Sequence, residues 1–190
     1  MINLTKGQKI DLTKTNPSLK KILAGLQWDQ RTTDGEEWDL DGSIFLLNDE
    51  GKLISDKHFV FYNEPVSPDG AVKHGGDNKN GAGEGDDETV RIDLASLDAA
   101  VKKIAIAITI HDAAARGQNF GQVKNPKIIV RNEETGEEIA QFDLAEDAST
   151  ETAVIMGEFY LHNGEWKFTA VGQGFAGGLQ PLIQHYGGNA

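Results

Sequence analysis

From His74 to Glu88 the chain reads His74-Gly75-Gly76-Asp77-Asn78-Lys79-Asn80-Gly81-Ala82-Gly83-Glu84-Gly85-Asp86-Asp87-Glu88, a glycine-dense run with carboxylates at both ends. Glycine lets a backbone turn tightly and aim its carbonyls inward. Carboxylates crowded into such a loop repel one another: a pair ~4 Å apart costs on the order of 4 kcal/mol at an effective dielectric near 20. A cation relieves that repulsion. Because the donors are oxygens, the expected cation is hard, with calcium the first choice.

A second acidic cluster lies upstream, with Asp29, Asp34, Glu36, Glu37, Asp39 and Asp41 around Trp38-Asp39-Leu40-Asp41-Gly42-Ser43. If a strand starts at Leu40, Asp39 and Asp41 leave it on one face and can grip one ion or bridge two. The expectation is that this loop and the glycine loop meet at one end of the fold and share ions. The glycine loop is not an EF-hand. Asp77 and Glu88 occupy the first and twelfth places, but the third is Lys79, the fifth Gly81 and the sixth Ala82, where glycine is required. Nor does it suit a phosphate, since Lys79 is its one base and four acids follow.

Other reactive side chains carry less. His111-Asp112 ends an isoleucine-rich segment and reads as a hydrogen-bonded strand end, because no serine motif of the nucleophile-elbow type accompanies it. His74 opens the glycine loop and is expected to orient it, since calcium prefers oxygen. Arg116-Gly117-Gln118-Asn119-Phe120-Gly121-Gln122-Val123 reads as a loop ordered by side-chain hydrogen bonds. Trp28, Trp38 and Trp166 read as core or loop anchors.

With 190 residues the chain is long enough for a sizeable core, and its 38% hydrophobic content lies outside the disordered range. A net charge of −12 argues against nucleic acid and anionic membranes as partners. The absence of cysteine excludes disulfides, thiolate metal sites and a cysteine nucleophile, and fits a reducing compartment. Met1 to Gly7 has no apolar signal core, and no stretch approaches the roughly 20 apolar residues of a membrane span. The expected location is the cytoplasm.

The elements that must position these residues are mostly strands. Ile104, Ile106, Ile108 and Ile110 alternate with Ala105, Ala107, Thr109 and His111, a period of two. Ile44 to Leu47 and Phe59 to Tyr62 are apolar runs suited to strands buried on both faces. Lys127 to Arg131 and Ile139 to Phe142 flank the polar turn Glu134-Thr135-Gly136-Glu137. Glu158 to His162 and Glu165 to Thr169 are joined by Asn163-Gly164, the signature of a type I′ hairpin turn. Short helices are expected over Ser96 to Lys103, capped by Ser96, and over Gly178 to Tyr186, with Pro181 in the first turn and Gly187 beyond the end. Many strands and few helices predict an all-β fold, a β-sandwich of two mostly antiparallel sheets, in one domain spanning residues 1–190.

Taken in order, these pieces resemble the TerD family of tellurite-resistance and stress proteins over nearly the whole chain. The matching segments are Leu4-Thr5-Lys6-Gly7, Gly25-Leu26-Gln27-Trp28-Asp29, Asp39-Leu40-Asp41 and the His74–Glu88 loop. They continue with the Arg116–Val123 run, Phe142-Asp143-Leu144, Gly164-Glu165-Trp166-Lys167-Phe168 and Ala170-Val171-Gly172. The resemblance implies a calcium-binding β-sandwich with about two ions held in acidic loops at one end. It assigns metal roles to Asp29, Asp39, Asp41, Asp77, Asn78, Asp86, Asp87 and Glu88. It also implies a bacterial cytoplasmic protein encoded with other tellurite-resistance and stress proteins, one of them integral to the membrane and a candidate partner. Asn80 departs from a threonine frequent in relatives, and Ala82 stands where an acid is common, a change that weakens one ion or leaves its place to water.

The resulting expectation is a non-enzymatic calcium-binding protein whose loops, ordered by metal, present a surface to a partner. The alternative is a metal-dependent hydrolase or phosphoryl-transfer enzyme built on the same acidic cluster, for which His111 and Arg116 are the available base and cation. A tellurium-oxyanion reductase lacks any electron carrier in the sequence.

Overall fold

In the computed structural model, residues 1–29, 40–75, 86–111, 113–144 and 151–188 are described. The isoleucine alternation forms β8 (Lys103–Ile110). Its four isoleucines enter the main core, while Ala105 and Ala107 pack in a second apolar cluster on the opposite face.

Among the described residues the strands form two six-stranded sheets. The first runs β1 (Ile2–Leu4), β10 (Glu138–Asp143), β9 (Lys127–Asn132), β3 (Lys21–Gln27), β7 (Glu88–Asp93) and β6 (Val72–His74). The second runs β2 (Lys9–Asp11), β12 (Glu165–Phe175), β11 (Ala153–His162), β8, β4 (Leu40–Leu47) and β5 (Phe59–Val60). The β1–β10 pairing is parallel and the others are antiparallel. The sheets pack face to face as a sandwich. Ile22, Ala24 and Leu26 of the first sheet share one core with Ile44, Leu46 and Phe159 of the second. The second cluster is covered by α2 (Leu179–His185), whose Leu182, with the following Tyr186, lies on Phe45, Leu47 and Ile155.

The hairpins form where the turn residues require them. Asn163 and Gly164 both take positive φ, 52° and 77°, and Gly136 takes 76° in the turn between β9 and β10. The C-terminal helix matches its expected bounds, with Gly178 before it and Gly187 at φ 75° after it.

Two expectations fail locally. The helix expected from Ser96 is instead a single 3-10 turn over Leu94–Ser96, because Asp93 rather than Ser96 caps it, accepting from the Ala95 N–H at 3.1 Å. Asp98 then takes the Ala100 N–H at 2.8 Å, and the chain enters β8 at Lys103. The run Phe59 to Tyr62 stays a strand only through Val60. Phe61 and Glu64 exchange backbone hydrogen bonds in a tight reversal before Pro65, and Tyr62 is exposed.

The Arg116–Val123 run follows α1 (Ala113–Arg116) as an ordered loop. The Gln122 amide nitrogen donates to the Gly117 carbonyl at 3.3 Å, and Phe120 and Val123 are buried in the core. Among the described residues no helix is long and apolar enough to cross a membrane.

Candidate functional site

Strands β3 and β7 place the ends of the two acidic segments side by side. Leu26 is in register with Glu88, and beyond the ladder the Asp87 N–H donates to the Leu26 carbonyl at 2.9 Å. The residues leaving β3, Trp28 and Asp29, therefore run beside Asp86 and Asp87 as the chain enters β7. Three consecutive carboxylates then diverge, because successive strand side chains point to opposite faces.

Glu88 points inward and is 2% exposed. Its Oε2 accepts from the backbone N–H of Gly42, on β4 of the other sheet, and lies 3.3 Å from Nε2 of buried His74. A Cβ at position 42 would stand 2.6 Å from that oxygen and 3.0 Å from Leu26 Cδ1, so this approach requires glycine. His74 thus lies beside Glu88, the carboxylate at the far end of the glycine run that His74 opens.

Asp86 lies on the outer face of the first sheet, over Gly25, where an added Cβ would be 2.3 Å from both carboxylate oxygens. It accepts from Gln27 Nε2 at 2.8 Å and from Arg131 Nη1 at 2.5 Å. Asp86 is therefore ion-paired with Arg131 of β9.

Asp87 has a different environment. It is 8% exposed and accepts the Trp28 N–H at 2.9 Å. Burial pushes its pKa above the ordinary 3.8, the neighbouring charges of Asp86 and Asp29 push the same way, and the Trp28 hydrogen bond opposes them. Asp29 is held by its own N–H on the Lys124 carbonyl at 2.9 Å, while Asn125 Nδ2 donates to its Oδ2 at 2.6 Å.

Asp41 occupies the other side of β4. Leu40, Ile44 and Leu46 face the main core, so Asp41 and Ser43 face outward, where they line a cleft with Thr109 and His111. The Glu88 carboxylate approaches β4 from the inside and Asp41 projects from the outside. His111 shares the outer cleft with Asp41 and is not at the Asp87–Glu88 cluster.

Of the predicted ligands, the structure brings together Asp29, Asp86, Asp87 and Glu88, and carries the start of β4 to the same end. Asp39, Asp77 and Asn78 lie outside the described residues, as do Trp38, Asp34, Glu36 and Glu37 and the interior of the glycine loop. Among the described residues no three His, Asp or Glu side chains form a metal-holding group. Sequence reasoning missed Arg131, Gln27 and Asn125 as the partners of Asp86 and Asp29. The alternation of β9 puts Arg131 on an outer face, but only the sheet order places it beside Asp86.

A sequence profile described as TerD domain matches residues 1–186. The chain is 55% identical over 187 residues to General stress protein 16U of Bacillus subtilis (strain 168), covering 98% of this chain and 97% of that protein. It is 52% identical over 189 residues to Tellurium resistance protein TerD of Serratia marcescens, covering 100% of this chain and 98% of that one. The solved structure of SAV2460, a protein of unknown function, superposes with a TM-score of 0.74 at 25% identity, covering 90% of this chain and 99% of its own.

Proposed function

The chain belongs to the TerD family of tellurite-resistance and stress-response proteins, and from that premise we propose that it is a non-enzymatic, cytoplasmic calcium-binding protein whose acidic loops are ordered by about two ions. Once ordered, the loops present a fixed surface to a partner, which family resemblance suggests is another tellurite-resistance protein, including a membrane-embedded one. The observation that carries the reading is Asp87, a nearly buried carboxylate set beside the charges of Asp86 and Asp29 where both acidic segments converge. Burial with like charges opposes ionisation, and a divalent cation reverses that penalty.

The donor set fits a hard cation, since it consists of carboxylate and carboxamide oxygens. Asp29 and Asp87 would hold calcium together with Asp39, Asp77 and Asn78, whereas Asp41 projects from the outer face of β4. Glu88 supports the assembly by fixing the loop stem to β4 through Gly42, and Asp86 does so through Arg131. Calcium supplies charge neutralisation here, and the protein supplies the converging loop stems.

Calorimetric titration of metal-free protein with calcium and magnesium tests the reading, with Trp28 fluorescence followed alongside, since the Trp28 backbone N–H donates to Asp87 and the ring is therefore held next to that carboxylate. The expected result is calcium preference, a stoichiometry near two, and stabilisation of about 2.7 kcal/mol at a hundredfold excess over Kd. Equal melting midpoints in calcium and in chelator would sink the proposal.

A further inference from the structure

α2 covers the outer face of the second sheet over Phe45, Leu47 and Ile155. Away from it, β2, β12 and β11 carry a groove on that face. Here Asp11, Lys167 and Tyr160 stand directly opposite one another across the three strands. Phe168 of β12 and Phe159 of β11 lie in the main core, with Ile10 of β2 packed against it, so the residues that alternate with them turn outward. Lys9 precedes Asp11 on this face and His162 follows Tyr160. With Ile10, these side chains line a groove of about 390 Å³, a size suited to a small organic ligand.

The lining is rich in donors. Lys167 donates to Asp11, and that bond holds the Asp11 carboxyl below its ordinary 3.8 and the Lys167 ammonium above its ordinary 10.5. An ammonium has three N–H donors, so Lys167 keeps others for a second acceptor while its pair with Asp11 stays intact. Lys9, exposed on the edge strand, adds a second ammonium. The Tyr160 hydroxyl stays protonated at neutral pH, because burial raises its pKa above 10.0 and Asp11 pushes the same way against Lys167. His162 stands at the hairpin end of the groove, its Nε2 3.2 Å from Asn163 Nδ2. Among the described residues Asp11 is the one carboxylate of the lining. Just outside, Lys14 acts on Asp11 and Glu165 acts on Lys167, charges of opposite sign that offset one another.

These features select the charge of the occupant. A cation would have to take Asp11 from Lys167 and then face both ammonium groups. An anion can accept from Lys9, Lys167 and Tyr160 without breaking any bond already made. The net charge of −12 does not override this, because the acidic segments converge at the other end of the strands. Tyr160 pairs with Lys103 on β8, whereas Asp41 pairs with Thr109. From Lys103 to Thr109 the strand rises roughly 20 Å at about 3.4 Å per residue. Exposed charges that far apart are screened at physiological salt, where the Debye length is about 8 Å. We propose that this groove binds a small organic anion, a carboxylate or phosphate ester on a flat body. Its oxygens accept from the ammonium groups of Lys9 and Lys167 and from the Tyr160 hydroxyl, and its body lies against the Tyr160 ring and Ile10. None of these residues has a part in the calcium reading, so the proposal stands apart from it.

The test is amide-resolved NMR of the full chain, freed of metal and then of chelator, titrated with benzoate, phenyl phosphate, inorganic phosphate and benzylammonium. Benzoate and phenyl phosphate should shift the amides of Ile10, Tyr160 and Lys167, and the tighter of the two names the preferred head group. Benzylammonium should leave these amides unmoved. Lys9→Gln, at an exposed position, should weaken both organic anions at least fivefold with an unchanged melting midpoint. Tyr160→Phe, which keeps the ring and removes the donor, should weaken them several-fold. If either variant melts early, the other variant and the comparison of probes on the wild type decide the matter. Equal responses to benzylammonium and benzoate, anion binding indifferent to Lys9→Gln, or silence at these amides with millimolar probe would overturn the proposal. So would inorganic phosphate binding as tightly as phenyl phosphate, because the flat body would then contribute nothing.

Discussion

The carboxylate of Glu88 crosses the interior of the sandwich to accept the backbone N–H of Gly42. Glu88 begins β7 of the first sheet and Gly42 lies on β4 of the second, so one hydrogen bond ties the exit of the glycine loop to the strand that follows the other acidic segment. A charge-assisted bond in a dry interior is strong, and its loss leaves a buried carboxylate short of a partner. The convergence of two acidic segments distant in sequence depends on this contact and on the β3–β7 register.

Gly42→Ala should break the arrangement sterically, since the new Cβ would stand 2.6 Å from Glu88 Oε2. Overpacking of this kind costs about 2 kcal/mol. Urea unfolding at neutral pH measures it. A cost below ~0.5 kcal/mol would show that Glu88 moves aside freely, since that is the scatter of an unremarkable surface substitution.

Arg131→Ala should destabilise the protein by roughly 2 kcal/mol, the scale of a lost charge-assisted hydrogen bond, because Asp86 is mostly buried and loses its ion partner. A double-mutant cycle with Asp86→Asn checks the coupling. Additive effects of the two substitutions would mean that the pair stabilises nothing.

Asp87→Asn should act with opposite sign in the two metal states. Its folded-state pKa is raised above 3.8, so its contribution to stability is fully present below that value and is lost as pH rises through the folded one. At pH 7 in chelator the wild type carries an unfavourable ionised group, and the asparagine variant should melt higher. In saturating calcium the order should reverse, because the charge is then paired with metal. Thermal melts in both buffers decide this.

Asp69 sets an opposite pH dependence. Burial works against its ionisation, but the Ser67 hydroxyl and the N–H groups of Asp98 and Ala71 hold its pKa below 3.8. The stability it contributes is present above pH 3.8 and lost as pH falls through the lower folded value. Asp69→Asn should flatten the acid limb of the stability curve. An unchanged limb would mean that the loop opens before Asp69 titrates.

Local chemistry made much of the fold legible in advance. The alternation from Ile104 to Ile110 determined a strand and its core face, because a period of two has no helical solution that buries one side chain type. Asn163-Gly164 determined a hairpin, since few other pairs accept two positive φ values. The carboxylates of both acidic segments, and the oxygen-seeking chemistry they imply, were equally visible. Ser96 and the pair Phe61-Tyr62 were misread because the deciding partners, Asp93 as cap and Glu64 across a tight reversal, act outside the run being read.

Only the tertiary structure decided what each acid does. Asp86, Asp87 and Glu88 are chemically similar neighbours, yet one is ion-paired with Arg131, one is held nearly buried beside like charges, and one spans the sheets to Gly42. Asp41 leaves β4 on the face away from Glu88 and enters a cleft walled by residues from five separate stretches of chain. The physical reason is that a side chain's type is set by the sequence, whereas its charge partner, its burial and the face it occupies are set by which strands pair, and pairing joins residues that the linear order keeps far apart.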